Sequence, residues 1–139
     1  MARKVRQTQP CSKGQAQQRL ERARSFLDVA DLVVDEADPD VEYGGVAASL
    51  AVLAGIAASD AACCMALGER SRSQNHHDAE ALLEQLTPGG AEAPKALREL
   101  IDLEDTTHYG FAGVGTGELK RALRRARKLL DFADRVLHR

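Results

Sequence analysis

Residues 44–77 read GGVAASLAVLAGIAASDAACCMALGERSRSQNHH, and this stretch decides the fold. Its first two-thirds are apolar on every side, the mark of a central, buried helix. The helix runs from about Val41 or Gly45 to Leu67. Ala47, Ala48, Ala51, Ala54, Gly55, Ala57 and Ala58 are small enough to let neighbouring backbones come close. Gly55 costs up to ~1 kcal/mol relative to Ala inside a helix. A close crossing, within the domain or across a dimer, accounts for its use. The weakly polar run Gly44–Ser59 ends at Asp60 and falls short of the ~20 residues that a membrane span requires. Gly68 then supplies a C-cap, and the polar segment Arg70–His77 interrupts the apolar pattern.

On the N-terminal side, Leu20, Ala23, Leu27, Ala30 and Val34 recur at helical spacing and predict a first helix over Gln15–Ala37. Asp38-Pro39-Asp40 ends it, because proline disfavours a helical residue before it. On the C-terminal side, Arg70–Asn75 reads as a polar loop. Ser73 or Asn75 can cap a helix from His76 to Leu86, which Thr87-Pro88-Gly89-Gly90 breaks. Pro94 suits the first turn of another helix, ending near Glu104, with Leu97, Leu100 and Ile101 inside. Thr106–Gly115 reads as a glycine-containing loop carrying His108, Tyr109 and Phe111. Thr116 can cap a last helix, Gly117–Leu137. Its stripe Leu119, Ala122, Leu123, Ala126, Leu130, Ala133, Leu137 is close to a heptad. No strand pattern stands out. The expected fold is all-α, an antiparallel bundle of four to five helices over residues 15–139. Residues 1–14, with Arg3, Lys4, Arg6 and Lys13, form a basic flexible tail ahead of it.

The composition, 44% apolar and 29% charged over 139 residues, is that of one globular domain. Aromatics make up only 4% and tryptophan is absent, so Ala, Leu and Val must build the core. A formal net charge of -2 gives the whole molecule no bulk attraction to nucleic acid. Cys11, Cys63 and Cys64 make a poor disulfide framework, being odd in number with two adjacent. They read as reduced thiols in a cytoplasmic protein, and no secretory signal precedes the bundle. The spacing of Cys63, Cys64, His76, His77 and His108 matches no usual zinc pattern. No metal, cofactor or membrane is expected.

Chemistry concentrates in Arg70–His77. Cleaving RNA without a metal needs a group that moves protons near neutral pH, and histidine is suited to it. It also needs a fixed cation beside the scissile phosphate, where arginine offers a planar fork. A helix N-terminus adds anion-attracting amides. Arg70, Arg72, His76 and His77 lie at such a place. The ordinary alternative is that these residues are solvated surface.

The run Ser59-Asp60-Ala61-Ala62-Cys63-Cys64, then Leu67-Gly68, Arg70 and His76, across two helices of a bundle, resembles the HEPN superfamily. The family's signature is an arginine, four to six residues, and a histidine near a helix start. Arg70 with His76 and Arg72 with His77 both fit. The resemblance implies a metal-independent endoribonuclease of the toxin–antitoxin or defence type. It also implies a motif shared across a homodimer, and a nucleotidyltransferase-like antitoxin as partner. Asp60 matches the polar residue that the family's preceding helix often adds to the site. An Asp held at a helix interface is the alternative. Non-catalytic members exist, so a helical module binding a protein or a nucleotide is the rival function.

A second candidate is the last helix. Lys120, Arg121, Arg124, Arg125, Arg127 and Lys128 fall together with no acid between them. They can follow an RNA backbone nonspecifically, or pair with acids of the first helix. His108 and Tyr109 can reach the site from their loop, or plug the end of the bundle.

Overall fold

A computed structural model describes residues 7–35, 43–72, 77–86, 92–109 and 114–138, without the side chains of 77 and 105–109. The described chain is mostly helical. Its elements are β1 (Thr8–Pro10), α1 (Lys13–Asp35), α2 (Tyr43–Leu67), β2 (Glu69–Ser71), α3 (His77–Glu84), α4 (Glu92–Tyr109) and α5 (Thr116–Leu137).

α2 is the axis of the bundle and packs against α1, α3, α4 and α5. Ala47, Ala51, Ala54, Ala58, Ala61 and Ala62 are all buried along it, as a helix apolar all round requires. Gly55 has an internal reason. A Cβ built there would lie 2.5 Å from Leu100 Cδ1 of α4 and 3.1 Å from Leu129 Cδ1 of α5. The glycine thus admits two leucines from neighbouring helices. At 25 residues α2 outruns the apolar run read from the sequence, and by length and composition alone it could cross a membrane. Some 67% of its most apolar window is instead buried inside the protein.

α1 and α5 lie antiparallel, joined by Arg24–Asp134 at 2.6 Å and Arg127–Asp31 at 3.0 Å. The inner stripe of α5 is Ala122, Ala126, Leu129, Ala133 and Val136, slightly rotated from the expected one. Leu123, Leu130 and Leu137 are only partly buried and pack at its edge. Gly115, not Thr116, occupies the N-cap of α5, with extended backbone and no side-chain cap bond. α4 continues through 106–109, where a loop was expected, and places His108 and Tyr109 on its last turn. The breaks at residues 38–40 and 87–90 lie outside the described residues. Gly68 ends α2 as expected, at φ +72°, with its N–H donating to the Cys64 carbonyl at 3.1 Å.

The largest departure is at the N-terminus. Residues 7–14, expected in a basic tail, are structured. β1 pairs antiparallel with β2, Thr8 facing Ser71 and Pro10 facing Glu69, so part of the expected polar loop is a strand. Ser12 and Gln15 form a capping box. The Ser12 N–H donates to Gln15 Oε1 at 2.9 Å, and the Gln15 N–H donates to Ser12 Oγ at 3.1 Å. This reciprocal pair fixes the start of α1 two residues before the expected one. The thiols are also corrected. Cys11 and Cys64 form a disulfide, and only Cys63 is free.

Candidate anion-binding site

Asp60 lies in α2, two turns before the helix ends, with a side chain only 8% exposed. A carboxylate so placed needs opposite charge or hydrogen bonds nearby. Its Oδ2 is 3.6 Å from Arg19 on α1 and 3.9 Å from Arg70 on β2. Both arginines keep part of their surface in solvent. Arg70 also donates from Nη2 to Gln9 Oε1 on β1, at 3.2 Å. Two elements therefore converge on the carboxylate of a third, and the ribbon aims Arg70 toward α2.

Above this cluster lies a cleft of about 250 Å³, open to solvent. Arg19, Arg22 and Arg70 line it, with glutamines and the Cys11–Cys64 disulfide in its wall. Arg22 also sits over the Phe26 ring, 6.0 Å from its centroid. Guanidinium forks and amide side chains suit an oxyanion such as phosphate. Asp60 holds two of the forks by their inner side and leaves the cleft net positive.

Cys63 lies three residues beyond Asp60 on α2, buried, with its thiol pushed up to about 12. Burial is the main cause. The Asp60 charge adds to it, the Ser59 hydroxyl opposes it, and Glu69 contributes a further rise. Cys63 is accordingly a protonated core residue and no nucleophile.

Of the expected residues, Asp60 and Arg70 come together. Arg72 is exposed, just past β2, with its backbone N–H donating to the Gln7 carbonyl at 3.0 Å. His77 is the first residue of α3, which packs against β2. His76 lies outside the described residues, as do the side chains of His77, His108 and Tyr109. With Cys64 in a disulfide, the cysteine–histidine metal set loses one donor. Arg19, Arg22 and the disulfide belong to the cleft without having been expected there. Ser12-x-x-Gln15 was the one sequence signal that residues before α1 were ordered.

The basic stripe of α5 is only partly free. Arg125 pairs with Glu99 of α4, and Arg127 pairs with Asp31 of α1. Arg121, Arg124, Arg125 and Lys128 line a second cleft of about 290 Å³ with Lys95 and Glu99 of α4. Lys120 is exposed.

No protein-family model, curated protein or solved structure matches the chain.

Proposed function

We propose that the chain is a metal-independent endoribonuclease of HEPN type, acting in the cytoplasm as a toxin or defence component. The observation that supports this reading is the meeting of Asp60 with Arg70 beneath an arginine-lined cleft. An arginine beside a histidine-bearing segment, oriented by a carboxylate on the preceding helix, is what the chemistry asks for. A phosphodiester enters the cleft between Arg19 and Arg70. The RNA 2′-hydroxyl attacks the adjacent phosphorus, and the 5′-oxygen leaves. His76, or His77 in the alternative register, moves the proton. Arg70, with Arg72, stabilises the charge that grows on the non-bridging oxygens. Asp60 is a positioning residue that holds the Arg70 fork. Lys120, Arg121, Arg124 and Lys128 hold flanking phosphates. A homodimer brings two such motifs together, and a nucleotidyltransferase-like antitoxin restrains them.

The test is incubation of the purified chain with RNA and a chelator, beside His76→Ala and Arg70→Ala. Cleavage by the parent and its loss in both variants is expected. Intact RNA with the parent, or equal cleavage by all three, overturns the proposal.

One observation favours the rival, a non-catalytic helical module that binds a protein. Val29, Leu32, Val46 and Leu53 of α1 and α2 are exposed, Leu32 by 62%. Under that reading the RNA stays intact and substitutions at these residues abolish partner binding.

A further inference from the structure

We propose that Cys11 and Cys64 are a reversible redox site, in which a hydroperoxide oxidises Cys11, Cys64 closes the disulfide, and closure builds the wall of the arginine cleft.

The two sulfurs have unequal surroundings. Cys11 is half-buried, directly before the capped N-terminus of α1, and shares the cleft with Arg19, Arg22 and Arg70. A helix N-terminus and nearby guanidinium groups both favour a thiolate. Cys64 is 2% exposed, in the last turn of α2 and one turn beyond Asp60. Burial, a helix C-terminus and a carboxylate all favour the protonated thiol there. Cys11 is thus placed to meet an oxidant, and Cys64 to resolve the product. Cys63 stays out of the exchange, since it is buried and protonated.

The chemistry balances. The Cys11 thiolate attacks a hydroperoxide, ROOH, and takes the distal oxygen, becoming a sulfenic acid while RO⁻ leaves and is protonated to ROH. The Cys64 sulfur then attacks the Cys11 sulfur, the S–S bond forms, and hydroxide leaves as water. A dithiol reductant returns both thiols through a mixed disulfide and carries away the two electrons.

The state of this bond decides whether the cleft has a wall. β1 is three residues long and pairs with one strand of three residues. A ribbon of that size is marginal in water. Beyond the strand pairing, it is attached by Cys11 N–H to the Gly68 carbonyl, Arg72 N–H to the Gln7 carbonyl, two side-chain bonds (Thr8 Oγ1 to Glu69 and Arg70 to Gln9), and the disulfide, the one covalent link among them. With the disulfide open, Gln9, Pro10 and Cys11 lose their covalent anchor on α2, and Arg70 loses the fixed amide of Gln9. A disulfide in a reducing cytoplasm is itself typically transient and redox-sensing.

The inference stands apart from the RNA reading, and its test uses no RNA. The intact chain is reduced, freed of reductant and given one equivalent of hydrogen peroxide. Intact mass is then followed, with dimedone as a sulfenate trap, in the parent, Cys64→Ser and Cys63→Ala. Amide exchange and inorganic phosphate titration compare the oxidised and reduced parent. Loss of two hydrogens in the parent and in Cys63→Ala is expected, with a dimedone adduct on Cys11 in Cys64→Ser. The amides of Cys11 and Arg72 exchange about tenfold faster after reduction while those of α2 hold, and phosphate binding weakens. The dimedone trap on the reduced parent supplies the same assignment if Cys64→Ser does not fold. Failure of peroxide to re-form the bond, trapping at Cys63 or Cys64, or equal exchange and phosphate binding in the two states overturns the proposal.

Discussion

The carboxylate of Asp60 lies 3.9 Å from the guanidinium of Arg70, across the junction between the core helix and the N-terminal ribbon. It is a charge contact with partial access to water, so its role is to aim Arg70 more than to stabilise the fold. Asp60→Asn keeps the shape and removes the charge. It should lower stability by about 1–3 kcal/mol, and it should tighten inorganic phosphate binding, since a competing anion has left the cleft. Urea unfolding and a phosphate titration measure the two effects, and weaker phosphate binding would contradict this account.

The disulfide joins residues 53 apart in sequence, closing all of α1, and α2 as far as Cys64, into a loop. Chain-entropy arguments assign such a loop about 4 kcal/mol of stability. Cys11→Ser should lose an amount of that order in chemical denaturation. A change below about 1 kcal/mol would show that the unfolded chain is scarcely restrained by the bond.

Gly55→Ala sets two effects against one another. Alanine favours the helix by up to about 1 kcal/mol. Its Cβ would press on Leu100 and Leu129, both fully buried, and overpacking of this kind costs about 1–3 kcal/mol. The steric effect wins, because the 2.5 Å approach to Leu100 is far inside contact distance and both leucines are fully buried. Calorimetry should find the variant about 1 kcal/mol less stable, a fall of roughly 3 °C in Tm.

Cys63 predicts a pH dependence. Its thiol sits near 12 in the folded chain against an ordinary 9.0. The folded state therefore keeps a proton that the unfolded state gives up. The contribution is complete below pH 9.0 and is lost as pH rises toward 12. Over that window stability should fall by up to about 1.4 kcal/mol per pH unit. Cys63→Ala should flatten the slope measured by urea unfolding between pH 8 and pH 10.5.

Helix placement was legible because 3.6-residue periodicity is local. Leu20, Ala23 and Leu27 announce α1, and the all-round apolar character of α2 announces an axis. Asp60 stands out as a charge in an apolar helix, and its pairing with Arg70 is the consequence. What the pattern missed is set by long-range geometry. Cys11 and Cys64 carry no spacing rule that joins them, and β1 is too short to alternate. Arg19 and Arg22 face outward on α1, as solvated arginines do, and only the ribbon turns that surface into a cleft. His108 and Tyr109 lie beyond Glu104, where polar residues made a helix look finished that in fact goes on.

The central position of α2 also bears on synthesis. A chain emerges from the ribosome N-terminus first. α2, with enough hydrophobicity to be taken for a membrane segment, is exposed to the cytosol while α4 and α5 are still being made. Only α1 and the short α3 can shelter it at that moment, and the seam made by Arg24–Asp134 and Arg127–Asp31 cannot close until α5 arrives. The apolar surface of α2 is therefore most exposed during the interval in which α4 and α5 are translated, and slower translation there lengthens that exposure.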